Sequence, residues 1–133
     1  MDDVVQAKVA TIEKCLKRIK EEALHDWKTD FTHQDALILN LERACQASID
    51  CASHIVRKKQ LGLPKITREV FELLGNAGII DQKLSEEMKK MVGFRNLAVH
   101  DYAALNLDIL EAILTNKLPV FSSFCKTVIN IAL

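Results

Sequence analysis

The sequence predicts an all-α protein, an antiparallel bundle of four to six helices. Three observations carry this. Apolar residues recur every three or four positions along most of the 133 residues, the period of a helix with one buried face. Only four glycines and two prolines are present, too few turn formers for an all-β sandwich or barrel, which turns every ~8–12 residues. No segment alternates apolar and polar residues long enough to read as a strand.

The first helix runs from about Asp3 to Leu24, with Val5, Val9, Ile12, Leu16, Ile19 and Ala23 on one face. Asp2 and Asp3 suit its positive end. A polar connector, His25 to Thr32, follows, with Trp27 and Phe31 as loop anchors and His25, Asp26 and His33 as connector residues. The second helix starts near Thr32 or His33 and runs to about Gln60, where Gly62 and Pro64 end it. Ile38, Leu41, Cys45, Ile49, Ala52 and Val56 form its apolar stripe. A second stripe, Asn40, Arg43, Ala47, Asp50, His54 and Arg57, reads either as a solvated face or as the wall of a polar site or subunit contact. A short helix spans roughly Thr67 to Leu74, with Gly75 placed to cap its C-terminus. The fourth opens at Asp81 or Ser85 and reaches about His100, with the stripe Leu84, Met88, Met91, Arg95, Ala98 and Tyr102. Leu107 to Asn116 makes a fifth piece, and Pro119 opens a last helix to Ile131.

Size and composition narrow the setting. A chain of 133 residues fits one domain, 1–133, and 49% hydrophobic residues permit a packed core. The start lacks a signal-peptide pattern, and no apolar run approaches the ~18 residues of a membrane span. Cys15, Cys45, Cys51 and Cys125 form no CxxC pair and sit at helical apolar positions, so they read as small buried hydrophobes in a reducing cytoplasm. No metal site or cofactor is expected. Eighteen basic residues balance eighteen acidic ones, which argues against coating nucleic acid by bulk charge, and no DNA partner is expected. The neutrality is segregated: Arg57, Lys58, Lys59, Lys65 and Arg68 face only Glu69 within residues 53–70. That patch can guide an RNA strand or receive an acidic partner. Helices of this length exceed what one small chain can cover, which suggests a helix-to-helix dimer.

The chemistry concentrates in Met91-Val92-Gly93-Phe94-Arg95-Asn96-Leu97-Ala98-Val99-His100-Asp101-Tyr102. From Met91 to Val99 this segment is apolar nearly all round, the mark of a buried helix, yet it contains Arg95 and Asn96. A buried arginine is costly unless paired, and Asp50 is one candidate partner. Asn96 and His100, four apart, share a face. Arg95 and His100, five apart, point about 140° away from each other on an ideal helix. Either the helix ends or loosens near His100, or Arg95 of one copy meets His100 of another across a two-fold interface. Chemistry at a phosphate ester needs a base, an acid and a cation for the charge on phosphorus. Imidazole titrates near neutrality and guanidinium binds phosphate through two parallel N–H groups, so His100 and Arg95 suit these roles. Asn96 can position either group, and Tyr102 can stack on a base or donate to phosphate. The plainer readings are a structural ion pair for Arg95, a dipole-favoured C-terminal residue for His100 and a core tyrosine for Tyr102.

The string Arg95-Asn96-x-x-x-His100-x-Tyr102 resembles the R-x4-H-x-Y signature of HepT-like toxins in the HEPN superfamily. Asn40, Asp50, His54, Gly62-Leu63-Pro64, Gly78-Ile79-Ile80 and Met91 to Phe94 extend the likeness over most of the chain. The resemblance implies a HEPN-like bundle that dimerises, with the motifs of both subunits lining an interfacial cleft. It implies metal-independent RNA cleavage by Arg95 and His100, with Asn96, Tyr102, Asp50 and His54 in support. It further implies a cognate minimal nucleotidyltransferase antitoxin that binds the toxin and transfers AMP to the motif tyrosine, here Tyr102. The alternative is a HEPN-type bundle that binds nucleotide or protein without turnover.

Overall fold

The computed structural model describes residues 2–100 and 106–133. Six helices run through them in order: α1 (Asp3–Glu22), α2 (Phe31–Lys58), α3 (Glu69–Asn76), α4 (Gln82–His100), α5 (Leu107–Asn116) and α6 (Leu118–Val128). No strand occurs among the described residues, so the expected fold class holds. None of their helices is long and apolar enough to cross a membrane.

α1 and α2 form the long antiparallel hairpin that organises everything else. Asp2 Oδ1 caps α1 by accepting from Val4 N–H at 2.9 Å and Val5 N–H at 3.0 Å. Asp30 does the same for α2 through Thr32 N–H at 2.9 Å, so that helix begins one residue before the expected Thr32. Three cross-links fix the pairing. His54 Nε2 lies 2.9 Å from Asp2 Oδ1 and Lys8 Nζ lies 3.3 Å from Asp50 Oδ2 at one end, while His33 Nδ1 bonds Glu22 Oε2 at the other. The α2 stripe that its residue types leave open is thereby settled piece by piece. Asn40, Ala47 and His54 are buried, Asp50 is half-buried against α1, and Arg43 and Arg57 are exposed.

The His33 link predicts a pH dependence. Hydrogen bonding to the Glu22 carboxylate, helped by the charge of Asp30, raises the His33 pKa above its ordinary 6.5. A raised imidazole pKa stabilises the fold fully below about pH 6.5, and that contribution disappears as pH climbs through the folded value. NMR titration of His33 is expected to give a midpoint above 6.5, returned towards that value by Glu22→Gln. A midpoint at 6.5 in both proteins refutes the link.

α3 and α4 pack closely at their joint. Gly75 is not the C-cap that its neighbours suggested; it lies inside α3 and is buried. A Cβ there would sit 2.9 Å from Ser85 Cβ, so only glycine lets the helices approach. Ser85 Oγ, also buried, donates to the Phe71 carbonyl at 2.9 Å across the same joint. The turn itself is made at Gly78, whose φ of +75° favours glycine. Asp81 Oδ1 then accepts from Leu84 N–H at 2.7 Å and opens α4.

α5 has the bounds expected, with Asn106 Oδ1 accepting from Ile109 N–H at 2.9 Å as its cap. Pro119 stands in the first turn of α6, which stops at Val128, before the expected Ile131. All six helices contribute to the core, with Phe71 and Phe124 edge-to-face at 5.8 Å between ring centres. All four cysteines are free and buried. Burial holds the Cys45, Cys51 and Cys125 thiols up at about 12. Trp27 anchors the α1–α2 connector as expected, but Phe31 does not: it is 75% exposed. Between Ala44 and Val56, α2 is buried on most sides by its own chain. Its length is therefore no argument for a dimer, and the case for one rests on α4.

Candidate active site

α4 carries its buried face on Met88, Met91, Val92 and Ala98. Arg95 falls between Met91 and Ala98 on that face and is half-buried, as its place in the apolar stripe predicts. Its surroundings are unusual for a cation. Cys45 of α2 lies close enough for the guanidinium to pull down a thiol pKa that burial has raised to about 12. Nη1 donates a long 3.4 Å bond to Asn96 Oδ1, and Nε is buried without an acceptor. No carboxylate among the described residues pairs with Arg95, and Asp50 is instead held by Lys8 and by Gln46 Nε2 at 2.8 Å. The anticipated Arg95–Asp50 pair is thus absent, because the α1–α2 hairpin claims Asp50 first. An orphaned buried donor costs roughly 1–3 kcal/mol. A guanidinium kept in that state is ready to accept an anion.

Asn96 is exposed beside it. His100 is the last residue of α4, and the helix stays intact up to it, so its backbone lies about 140° around the axis from that of Arg95. Tyr102 lies outside the described residues. The segment is not buried all round: Gly93, Asn96 and Val99 are exposed, and a Cβ at Gly93 would meet nothing within 4 Å. Two further candidates sit elsewhere. His54 is nine residues beyond Cys45, about 13 Å along α2, and bonds Asp2. Hydrogen bonding to His54 is the main reason the Asp2 carboxyl titrates below its ordinary range. Within one chain, Asp50 and His54 hold α1 against α2 and are not gathered with Arg95.

The basic patch is real and exposed. Arg57, Lys58, Lys59, Lys65 and Arg68 lie on the surface with no carboxylate partner among the described residues, beside Leu63 (93% exposed) and Ile66 (59%). Arg57, Lys58 and Lys59 close the far end of α2, about 18–21 Å along its axis from Cys45, and Lys65 folds back beside Ile49 and Ser53. No three His, Cys, Asp or Glu side chains among the described residues come together as a metal site.

The profile of the "Ribonuclease HepT-like" family matches residues 10–128, nearly the whole fold described above. The chain belongs to that family. It is similar to the mRNA nuclease HepT of Shewanella oneidensis, with 49% identity over 127 residues, 93% of this chain and 95% of that protein. A solved structure of the tri-AMPylated S. oneidensis HEPN toxin in complex with its MNT antitoxin superposes with a TM-score of 0.94. That match has 46% identity and covers 98% of this chain and 100% of the toxin. A toxin–antitoxin crystal structure with AMP-PNP matches at 46% identity and a TM-score of 0.89, over 96% and 98% of the two chains. The fold and the ribonuclease family are thus those that the R-x4-H-x-Y string implied.

Two features escaped the sequence. One is the unsatisfied Arg95 Nε, which depends on what α2 fails to place opposite it. The other is a cationic groove between α1 and α2, formed by Lys14, Arg18 and Arg43. Its residues read as solvated helix surface until the hairpin pairs them.

Proposed function

We propose that this protein is the toxin of a toxin–antitoxin pair, a cytoplasmic endoribonuclease that cleaves RNA without a metal at a site shared by two copies. The observation that carries the reading is Arg95, a half-buried guanidinium with no carboxylate partner among the described residues, in the R-x4-H-x-Y string of a HepT-like chain. In this reaction His100 takes the proton of an RNA 2′-OH. The freed oxygen attacks the adjacent phosphorus, and the bond from phosphorus to the 5′-oxygen breaks as that oxygen takes a proton from the protonated His100 of the second copy. Arg95 binds the non-bridging oxygens, whose charge grows at the transition state. Asn96, exposed beside the guanidinium, positions the phosphate. The products are a 2′,3′-cyclic phosphate and a 5′-hydroxyl.

Homodimerisation is supported by the open face of α4. Gly93 lets another backbone approach closely, and Val99 offers apolar surface that its own chain leaves 40% exposed. A two-fold contact there would bring His100 of one copy towards Arg95 of the other, which the 140° separation on one intact helix does not allow. The partner is a minimal nucleotidyltransferase antitoxin. Support comes from the similar S. oneidensis toxin, which is tri-AMPylated in complex with its MNT antitoxin. AMP on Tyr102, two residues after His100, would set an anionic phosphate beside the catalytic cation and block the site. The exposed patch from Arg57 to Arg68 is a surface for RNA or an acidic partner.

Expression of the chain is expected to arrest growth and degrade mRNA, and co-expression of the nucleotidyltransferase to relieve both. Incubation with that enzyme and ATP should place AMP on Tyr102, read by peptide mass spectrometry. Growth arrest without RNA loss would favour a bundle that binds without turnover, and an unmodified Tyr102 peptide would remove the switch.

A further inference from the structure

A second concentration of cations lies on α1 and α2, outside the R-x4-H-x-Y string. Thr11, Lys14, Cys15 and Arg18 follow each other at helical spacing on one face of α1, and Asn40 and Arg43 stand opposite on α2. Together they line an open groove of about 270 Å³ to which no carboxylate among the described residues contributes. None of the three cations is in an ion pair with the described residues, although Lys8, Lys28, Lys89, Lys90 and Lys117 all are. Their charges converge: all three act on the buried Cys15 thiol at the floor, opposing the rise that burial imposes. Asn40 is 6% exposed, and its amide nitrogen uses one donor on the Ala36 carbonyl at 2.9 Å, leaving a second.

Three convergent cations without ion-pair partners among the described residues repel one another, and the α1–α2 pairing holds them together regardless. An anion is the ligand that relieves this, and a phosphodiester fits two guanidinium forks and an ammonium. We propose that this α1–α2 groove binds the sugar–phosphate backbone of the RNA substrate outside the cleaved bond. Arg18 and Arg43 grip one or two phosphates, with Lys14 and the Asn40 amide in support. The inference rests on the ribonuclease reading for the identity of the ligand. A groove of this kind anchors a strand without reading its sequence.

The test uses the full-length His100→Ala protein, so that RNA survives, and measures binding of a single-stranded RNA of about 20 nucleotides by fluorescence anisotropy across a salt series. Adding Arg18→Gln and Arg43→Gln is expected to weaken binding about tenfold or more and to flatten the log–log salt slope by about 1.4, two phosphates at ~0.7 each. Lys83→Gln with Lys126→Gln removes the same charge from another surface and is expected to leave the slope unchanged. Free AMP in excess should not compete with the RNA; if it displaces the strand at the concentration at which it binds, the groove is a nucleotide pocket and the proposal falls. Equal slopes in the groove and control variants also overturn it. Should the His100-intact protein cleave RNA while the groove variant binds normally, only the groove is lost. Should the protein cleave nothing while the slope still changes, the ribonuclease reading is lost and the groove remains.

Discussion

His100→Ala is expected to lower RNA cleavage by about 10²–10⁴-fold, the contribution typical of a positioned general base, and to abolish growth arrest. Its thermal unfolding should match the parent, the result that separates loss of a base from loss of the fold. Arg95 gives the complementary result. Arg95→Met removes the cation proposed to bind phosphate and also removes a buried donor with no acceptor, worth roughly 1–3 kcal/mol of penalty. Activity should therefore collapse while stability holds or rises, the opposite of what loss of a structural ion pair would do. Arg95→Lys keeps the charge but not the fork, and is expected to restore little. Purified proteins with matched thermal melts, assayed on a fluorogenic RNA, separate these outcomes. Undiminished cleavage by His100→Ala would end the assignment of this residue as the base.

Much of the fold and part of the site are legible in the order of the amino acids. The spacing that puts Arg95 between Met91 and Ala98 on a buried stripe places it correctly, and Pro119 marks the start of α6 because the chemistry of a helix start is local. Local signals also mislead. Gly75 and Gly78 stand three apart in one breaker cluster, and only the 2.9 Å approach of Ser85 shows that the first serves packing and the second the turn. The polar stripe of α2 is ambiguous for a different reason. His54 meets Asp2 across 52 positions and Asp50 meets Lys8 across 42, pairings that follow from the hairpin register and from nothing near them in the chain. The groove of Lys14, Arg18 and Arg43 is hidden by the same rule: one helix carries two of its cations, another the third.

The position of Arg95 depends on packing that no candidate site residue provides, and Phe124→Ala should expose this. Phe124 is fully buried on α6 and meets Phe71 of α3 edge-to-face at 5.8 Å. Truncating a buried phenylalanine costs about 3–5 kcal/mol, through lost transfer energy and the cavity left behind. Domains of this kind hold only about 5–15 kcal/mol in total, so the loss takes a large share of the whole. Its consequence for function follows from the connectivity. α6 is tied to α4 through Lys117 Nζ and Glu87 Oε2 at 2.8 Å, and α3 is locked to α4 at Ser85, so a loosened α6 loosens the helix that presents Arg95. Urea titration should show a lower midpoint with an unchanged slope. Cleavage at low temperature, where the variant stays folded, should be retained, whereas His100→Ala stays inactive at every temperature. A Phe124→Ala protein that melts like the parent would mean that the core between α3 and α6 does not hold α4 in place.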